Sequence, residues 1–383
     1  MKIYLTGCRL VLPDETLDNS ALLIEDGEIL AIAPEGAQGG VEIDLGGMTV
    51  MPGMIDLHCD ALEKEVEPRP NVHFPLDFGC AQADKRNAAA GITTVFHAIS
   101  FAGEELGVRN NEMATTLVET MHQWQLHGLV DNRLHCRYEI TDEAALPALC
   151  KLLDEQKAHL ISLMDHTPGQ GQFKDIASYR RYLARNYKKT DKELDQILAQ
   201  KIAAGEGAFQ RIQTLAECAH RNKIALASHD DDSPQRVETM RAAGADIAEF
   251  PITLEAAHAA KKAGMVTIFG APNLMRGQSQ SGSMRAIDAI REGVADCLCA
   301  DYSPAALIMA IFRLPDYSDL NLAEAVRLVT ANPARAARLE DRGEIREGKR
   351  ADLIAVDLPG GLPQICRVWC KGREVYRATY NHG

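Results

Sequence analysis

The chain has 383 residues, 46% of them hydrophobic and 25% charged, and a net charge of −13 from 41 basic and 54 acidic side chains. This is the composition of an ordinary globular protein long enough to bury a sizeable core in one large domain or two modest ones. The acidic balance speaks against nucleic acid and anionic membranes as partners, so an anionic substrate would have to be held by local arginines or metal ions. No apolar run approaches the roughly 18 residues of a membrane span, and "MKIYLTGCRLVLPDE" lacks the apolar region of a signal peptide; a cytoplasmic protein is expected.

In chain order, residues 1–49 read as short strands and turns ("KIYLTGCRLVL", "SALLIEDGEILAIAP", "GVEIDLGG"). From residue 50 onward, apolar runs of β type alternate with helical patterns. Strands are expected at 50–57, 92–97, 133–139, 160–165, 224–229, 246–250, 265–270 and 296–301. Most are followed by helix-like sequence such as "LEAAHAAKKAG" and "MRAIDAIREGV". Eight such alternations predict an α/β fold, a TIM-like (β/α)8 barrel over residues 50–344. The stretch at about 174–222 is long, charged and helical in pattern, and reads as a helical excursion over one end of the barrel or as an elongated barrel helix pair. Residues 345–383 return to short strands ("ADLIAVD", "CRVWCKGREVYRA") and, with 1–49, are expected to form a small β-sandwich domain shared by both termini.

In barrels of this kind the chemistry lies where the strands end. His58 and Asp60 close the first expected strand, and alternation puts them on one face. Glu139 closes the third, Asp165 and His166 the fourth, and His229 the fifth, ahead of Asp230, Asp231 and Asp232. Glu249 lies near the end of the sixth and Asp301 at the end of the eighth. One such residue would be an ordinary hydrogen-bonded strand end. Six ends converging on one mouth would repel one another and resist desolvation without a countercharge, which divalent metal ions supply. Mixed imidazole and carboxylate donors suit zinc, manganese or iron. The Asp230–Asp232 run reads as a solvated loop, with orientation of His229 as the alternative. The histidines at 73, 97, 122, 127, 135, 159, 220, 258 and 382 read as structural or surface residues. The ten scattered cysteines, with no C-x-x-C pair, read as small buried hydrophobes.

These residues also carry a resemblance. "MPGMIDLHCD" is similar to the first-strand signature of the amidohydrolase superfamily of metal-dependent hydrolases, and "TANPARAARLEDRGEIREGKRADLIAVD" to its C-terminal end. The blocks "HCDALEKEVEPRP", "AAAGITTVFHA", "MDHTPGQGQF", "ASHDDD", "EFPITLEAA", "GAPNLMRGQSQSG" and "DYSPAALIMAIFRL" resemble one branch of it. That branch is the α-D-ribose 1-methylphosphonate 5-triphosphate diphosphatase family of carbon–phosphorus lyase systems, whose members carry H-x-D where most relatives carry H-x-H. The chain departs from the family at Gln280, where S-H-S-G is common, and at Ala61, where Asn is common.

The resemblance implies a binuclear metal site. Its ligands would be His58 and Asp60, then Glu139 as the bridge, then His166, His229 and Asp301. Asp165 and, more distantly, Glu63 are the substitutes for the bridge; apart from the resemblance, Asp230 reads as a residue that could orient His229, and Glu249 as one that lines the site or braces the barrel. The cofactors expected are two divalent ions, zinc first and manganese or iron otherwise. Asp301 would orient the attacking water and take its proton, and attack at the α-phosphorus would release pyrophosphate. The loop at 270–283 offers phosphate contacts, Arg276 foremost for its bidentate guanidinium, with Asn273 and Gln280 beside it and Arg69 from the loop after the first strand. Two other functions compete: a hydrolase of a cyclic amide, N-acyl group or aminopurine, and a metal-free scaffold. The partner expected is a small phosphorylated substrate, without nucleic acid or membrane, and the protein is expected to be a homo-oligomer such as a dimer.

Overall fold

The computed structural model describes residues 1–103, 110–165, 203, 205–279 and 282–380. The chain opens with strands β1 (Lys2–Val11), β2 (Thr16–Glu25), β3 (Glu28–Ile32), β4 (Val41–Asp44) and β5 (Thr49–Pro52). Strands β6 (Met54–Cys59), β7 (Ile92–Phe101), β8 (Asp131–Glu139), β9 (Leu160–Met164), β10 (Ala225–His229), β11 (Ile247–Glu249), β12 (Val266–Gly270) and β13 (Cys297–Cys299) follow. The chain ends with β14 (Leu353–Asp357), β15 (Gln364–Cys370) and β16 (Arg373–Arg377).

Strands β6 to β13 pair in chain order into one eight-stranded sheet, and every pairing within it is parallel. Most of its strands are buried along their whole length, as barrel strands covered by helices outside and packed side chains inside must be. The first and last strands meet through a parallel bridge between Cys59 and Asp301, where Asp60 N–H donates to the Asp301 carbonyl at 2.8 Å and Asp301 N–H to the His58 carbonyl at 2.9 Å. The barrel therefore closes at the residues that end β6 and follow β13.

Strands from both termini form a second, mixed eight-stranded sheet, in the order β16-β15-β14-β5-β1-β2-β3 with β4 also on β1. Leu5, Leu10, Leu22, Val50, Leu353 and Trp369 lie within its core. The expected strand at 50–57 divides between the two sheets: β5 pairs with β1 and β14, and β6 enters the barrel. Gly53 marks the division, where an added β-carbon would overlap the Thr93 side chain of β7.

The helices around the barrel follow amphipathic spacing. Helix Leu146–Asp154 buries Leu149, Leu152 and Leu153, and helix Ala208–Arg221 buries Ile212, Leu215, Ala216 and Ala219 against it. The second helix is the C-terminal part of the stretch expected to form an excursion; residues 174–202 lie outside the described residues. Ser233 and Thr253 cap the helices that follow β10 and β11, each side chain accepting from the backbone three residues on. All ten cysteines are free thiols, and all but Cys150 are buried.

Candidate active site

Four barrel strands bring their ionisable residues together. His58 stands near the end of β6, His135 and Arg137 inside β8, His229 at the end of β10 and Glu249 at the end of β11. Asp60 and Asp301 lie just beyond β6 and β13, joined by the closing backbone bonds. His58, His135, His229 and Glu249 are buried, and Arg137 is 7% exposed.

The Glu249 carboxylate is the hub. Its Oε1 lies 3.3 Å from His58 Nδ1 and its Oε2 3.2 Å from His229 Nδ1. The two imidazoles stack at 5.6 Å between centroids, and the Phe250 ring stands edge-on to both at 4.9 and 5.3 Å. His58, His229 and Glu249 form a group able to hold a metal ion, each offering an atom within 4.8 Å of the others. The Nδ1···O separations are also those of hydrogen bonds. With both Nδ1–H groups donated to Glu249, the Nε2 atoms face the opposite way, that of His58 lying 3.4 Å from Asp60 Oδ1.

His135 meets the hub from another side, its Nε2 3.7 Å from Glu249 Oε1 and its ring edge-on to His58 at 5.1 Å. Its Nδ1 donates to the Leu57 carbonyl at 3.1 Å, so the neutral ring presents an Nε2 lone pair, for which no hydrogen-bond partner exists among the described residues. Arg137 spans the mouth side: Nη1 donates to Asp60 Oδ1 at 3.3 Å and Nη2 to His229 Nε2 at 3.2 Å.

Charge in the cluster is shared unevenly. Burial alone would discharge His58, but the Glu249 and Asp60 carboxylates overcome it and push its pKa up to about 10. Burial works against the Glu249 charge too, yet the His58 charge and the hydrogen bonds from His229 and His58 hold its carboxyl well below the usual range. Burial lowers His135 to about 3, leaving it neutral, and lowers His229 as well. Burial, then the Asp60 charge, raises Asp301 to about 6. Asp230, Phe250 and Asp301, each following a barrel strand, adopt left-handed backbone angles with φ of 56°, 52° and 53°. Such conformations are costly for side chains other than glycine, above all for an aromatic one, and concentrate at functional sites.

The other expected residues divide. Glu139 is buried at the end of β8 and accepts from Thr141 Oγ1 at 2.9 Å; strand alternation puts it on the face of His135 and Arg137. Asp165 pairs with Arg236 at 3.1 Å, and Glu63 accepts from Ser100 N–H at 3.1 Å. Asp230 lies 3.8 Å from His229 Nε2. Arg69 and Arg276 are exposed, whereas Asn273 has its amide engaged with Met284 carbonyl and Ala286 N–H at 3.1 and 2.9 Å. His166 and Gln280 lie outside the described residues.

Two readings of the sequence are corrected. The Asp230–Asp232 run is no solvated loop, because Asp231 is buried, accepts from Ser228 Oγ and lies 3.9 Å from Arg236. His135 is no structural or surface residue but part of the cluster, and Arg137 was not singled out at all. The pattern in "RLHCRYE" did carry a signal, since His135, Arg137 and Glu139 alternate along one strand and so share a face.

The C-terminal half, residues 190–376, matches the model of the amidohydrolase family. Over 379 residues the chain is 37% identical to the α-D-ribose 1-methylphosphonate 5-triphosphate diphosphatase of Escherichia coli (strain K12), covering 98% of this chain and 100% of that one. The chain belongs to the family of that diphosphatase, within the amidohydrolase superfamily. A more distant superfamily relative is the imidazolonepropionase of Caldanaerobacter subterraneus subsp. tengcongensis, 25% identical over 90% of this chain and 85% of that one. The crystal structure of a Xaa-Pro dipeptidase with bound methionine shares the fold, with a TM-score of 0.67 at 15% identity over 99% of this chain and 100% of that one.

Proposed function

We propose that this chain is a metal-dependent hydrolase that cleaves a phosphoanhydride of α-D-ribose 1-methylphosphonate 5-triphosphate and releases pyrophosphate, in phosphonate utilisation. The observation that carries this reading is the 37% identity running the whole length of the Escherichia coli enzyme. The imidazolonepropionase and dihydroorotase relatives, at 25% and 23% identity, speak for C–N bond cleavage only at a greater distance.

The donor set fits divalent ions. Imidazole Nε2 atoms and carboxylates share the mouth, and an Asp301 carboxyl raised by burial and by Asp60 is one that gains from added positive charge. We assign His58, Asp60, Glu139, His229 and Asp301, with His166, as the residues that would hold the ions. Two ions are proposed, zinc first and manganese or iron otherwise. When bound, they would lower the pKa of an attacking water and offset charge on the phosphoryl oxygens.

The protein's own groups would do the rest. Glu249 holds His58 and His229 in the tautomer that turns both Nε2 atoms to the mouth. Asp301 takes the proton of the attacking water as its oxygen bonds to the α-phosphorus. The bond from that phosphorus to the bridging oxygen breaks, and pyrophosphate leaves. Because pyrophosphate is a weak base, its departure needs no strong general acid, unlike that of an amine. Asp165, Asp230 and Glu63 support the ligands, and Arg276, Arg69, Asn273 and Gln280 are the proposed outer phosphate contacts. A homo-oligomeric enzyme of the cytoplasm is the proposed setting.

Phosphorus NMR of the protein with the ribose methylphosphonate triphosphate tests the reading and should show pyrophosphate appearing. Release of orthophosphate, or no turnover with several metals loaded, would count against it. Asp60→Asn should lower metal content and turnover together and leave the circular dichroism spectrum unchanged.

A further inference from the structure

Arg137 brings the one guanidinium to the cluster, and its surroundings are unusual for an arginine. The side chain is 9% exposed, lies inside the barrel, and has its two terminal nitrogens on Asp60 and His229. No hydrogen-bond partner exists for its Nε among the described residues. The contact with His229 is a weak one for a guanidinium, since it spends a charged donor on a single imidazole nitrogen at 3.2 Å instead of a carboxylate.

Both partners are among the ligands assigned above. A divalent ion on His229 Nε2 would take the one lone pair that Nη2 uses, and on Asp60 it would draw charge from the carboxylate that Nη1 contacts, leaving a buried cation with donors to spare. A buried charge without a partner is costly, so such a site gains strongly from an anion. A phosphoryl group suits it, because a guanidinium offers paired N–H donors in the geometry of two phosphate oxygens. The residues assigned to outer phosphate contacts cannot serve this purpose at the reacting centre, as Arg69 and Arg276, the latter at the end of the helix Ala271–Arg276, are exposed.

We propose that Arg137 is an anion-binding residue of this site, positioned by Asp60 and His229 and turned to phosphoryl oxygens when a metal engages those two partners. The inference rests on the metal-dependent phosphohydrolase reading and deepens it: metal and anion binding become coupled through one side chain.

Calorimetric titration of inorganic phosphate into zinc-loaded and metal-stripped protein, with metal content measured on the same samples, tests this apart from turnover. Wild-type protein should bind phosphate when loaded and at least about 10-fold more weakly when stripped. Loaded Arg137→Met should keep its metal and bind phosphate roughly 10- to 100-fold more weakly, with Arg137→Lys between the two. The proposal is overturned if Arg137→Met binds phosphate as wild type does, or if its metal content falls in proportion to its phosphate binding. Should the methionine variant fail to fold, Arg137→Lys decides, because wild-type affinity without the planar fork excludes the paired contact. Metal-dependent phosphate binding lost in the variants, in a protein that does not cleave the triphosphate, would sink the substrate assignment and keep the role of Arg137.

Discussion

At the scale of single residues, Glu249 carries the most consequence. It touches three imidazoles and is the acceptor for the Nδ1 atoms of His58 and His229. Glu249→Gln keeps the size and one acceptor oxygen but cannot receive both N–H groups while holding a charge. Its metal affinity should fall by roughly 10- to 100-fold, the usual cost of losing a partner behind a metal-binding histidine. Competition with a chelator of known affinity measures it, and an unchanged affinity would show that Glu249 neither ligates nor orients. His58, Asp60 and Asp301 were legible in the sequence because they break apolar runs at strand ends. His135 and Arg137 were harder to see, because a polar residue within a strand is ordinarily a satisfied structural one. Only the packed barrel reveals that Leu57 fixes one nitrogen of His135 and that the other faces Glu249.

At the scale of elements, the hydrophobic period located the eight barrel strands but not every boundary. The run at 50–57 is apolar throughout because each half is buried in its own sheet, so hydrophobicity gives no sign of a change of partner. What separates the halves is the close approach of β7 to Gly53. Gly53→Ala should therefore destabilise the protein by about 1–3 kcal/mol through overpacking, and Thr93→Ala in the same chain should recover part of the loss. Urea unfolding of the two variants checks this, and a neutral Gly53→Ala would mean that the two strands can separate without strain. The left-handed turns after β10, β11 and β13 were equally hidden, since nothing in "HDDD", "EFPI" or "ADYS" marks a positive φ as glycine would.

At the scale of the whole molecule, buried neutral histidines make stability depend on pH. Burial lowers His97, and partial burial His159, to about 4 from the ordinary 6.5. As pH falls through that window the unfolded chain takes up protons that the folded protein refuses. Folded-state stability is therefore full above 6.5 and declines towards 4. Each residue contributes up to ~1.4 kcal/mol per pH unit there. The urea midpoint should drop between about pH 7 and 5, and His97→Gln, which can keep the bond to Asn132, should flatten the slope. An equal slope in that variant would exclude His97 as a source. The segment leading back to β14 is also tied to the barrel: Arg342 donates to Thr94 Oγ1 of β7 at 3.0 Å and pairs with Asp131 at the start of β8.

Closure of the barrel between its first and last strands has a consequence in time. The bond from Ala300 N–H to Asp56 spans 244 residues, and beside it Asp60 and Asp301 acquire their mutual geometry. Contacts so distant in sequence form late, after the entropy of closing the long loop between them has been met. A chain still emerging from its synthesis, or refolding with β13 undocked, holds His58 and Asp60 on one side of a gap and Asp301 on the other. Competence for metal and substrate should then arrive as a single late step, and partly folded forms should have neither.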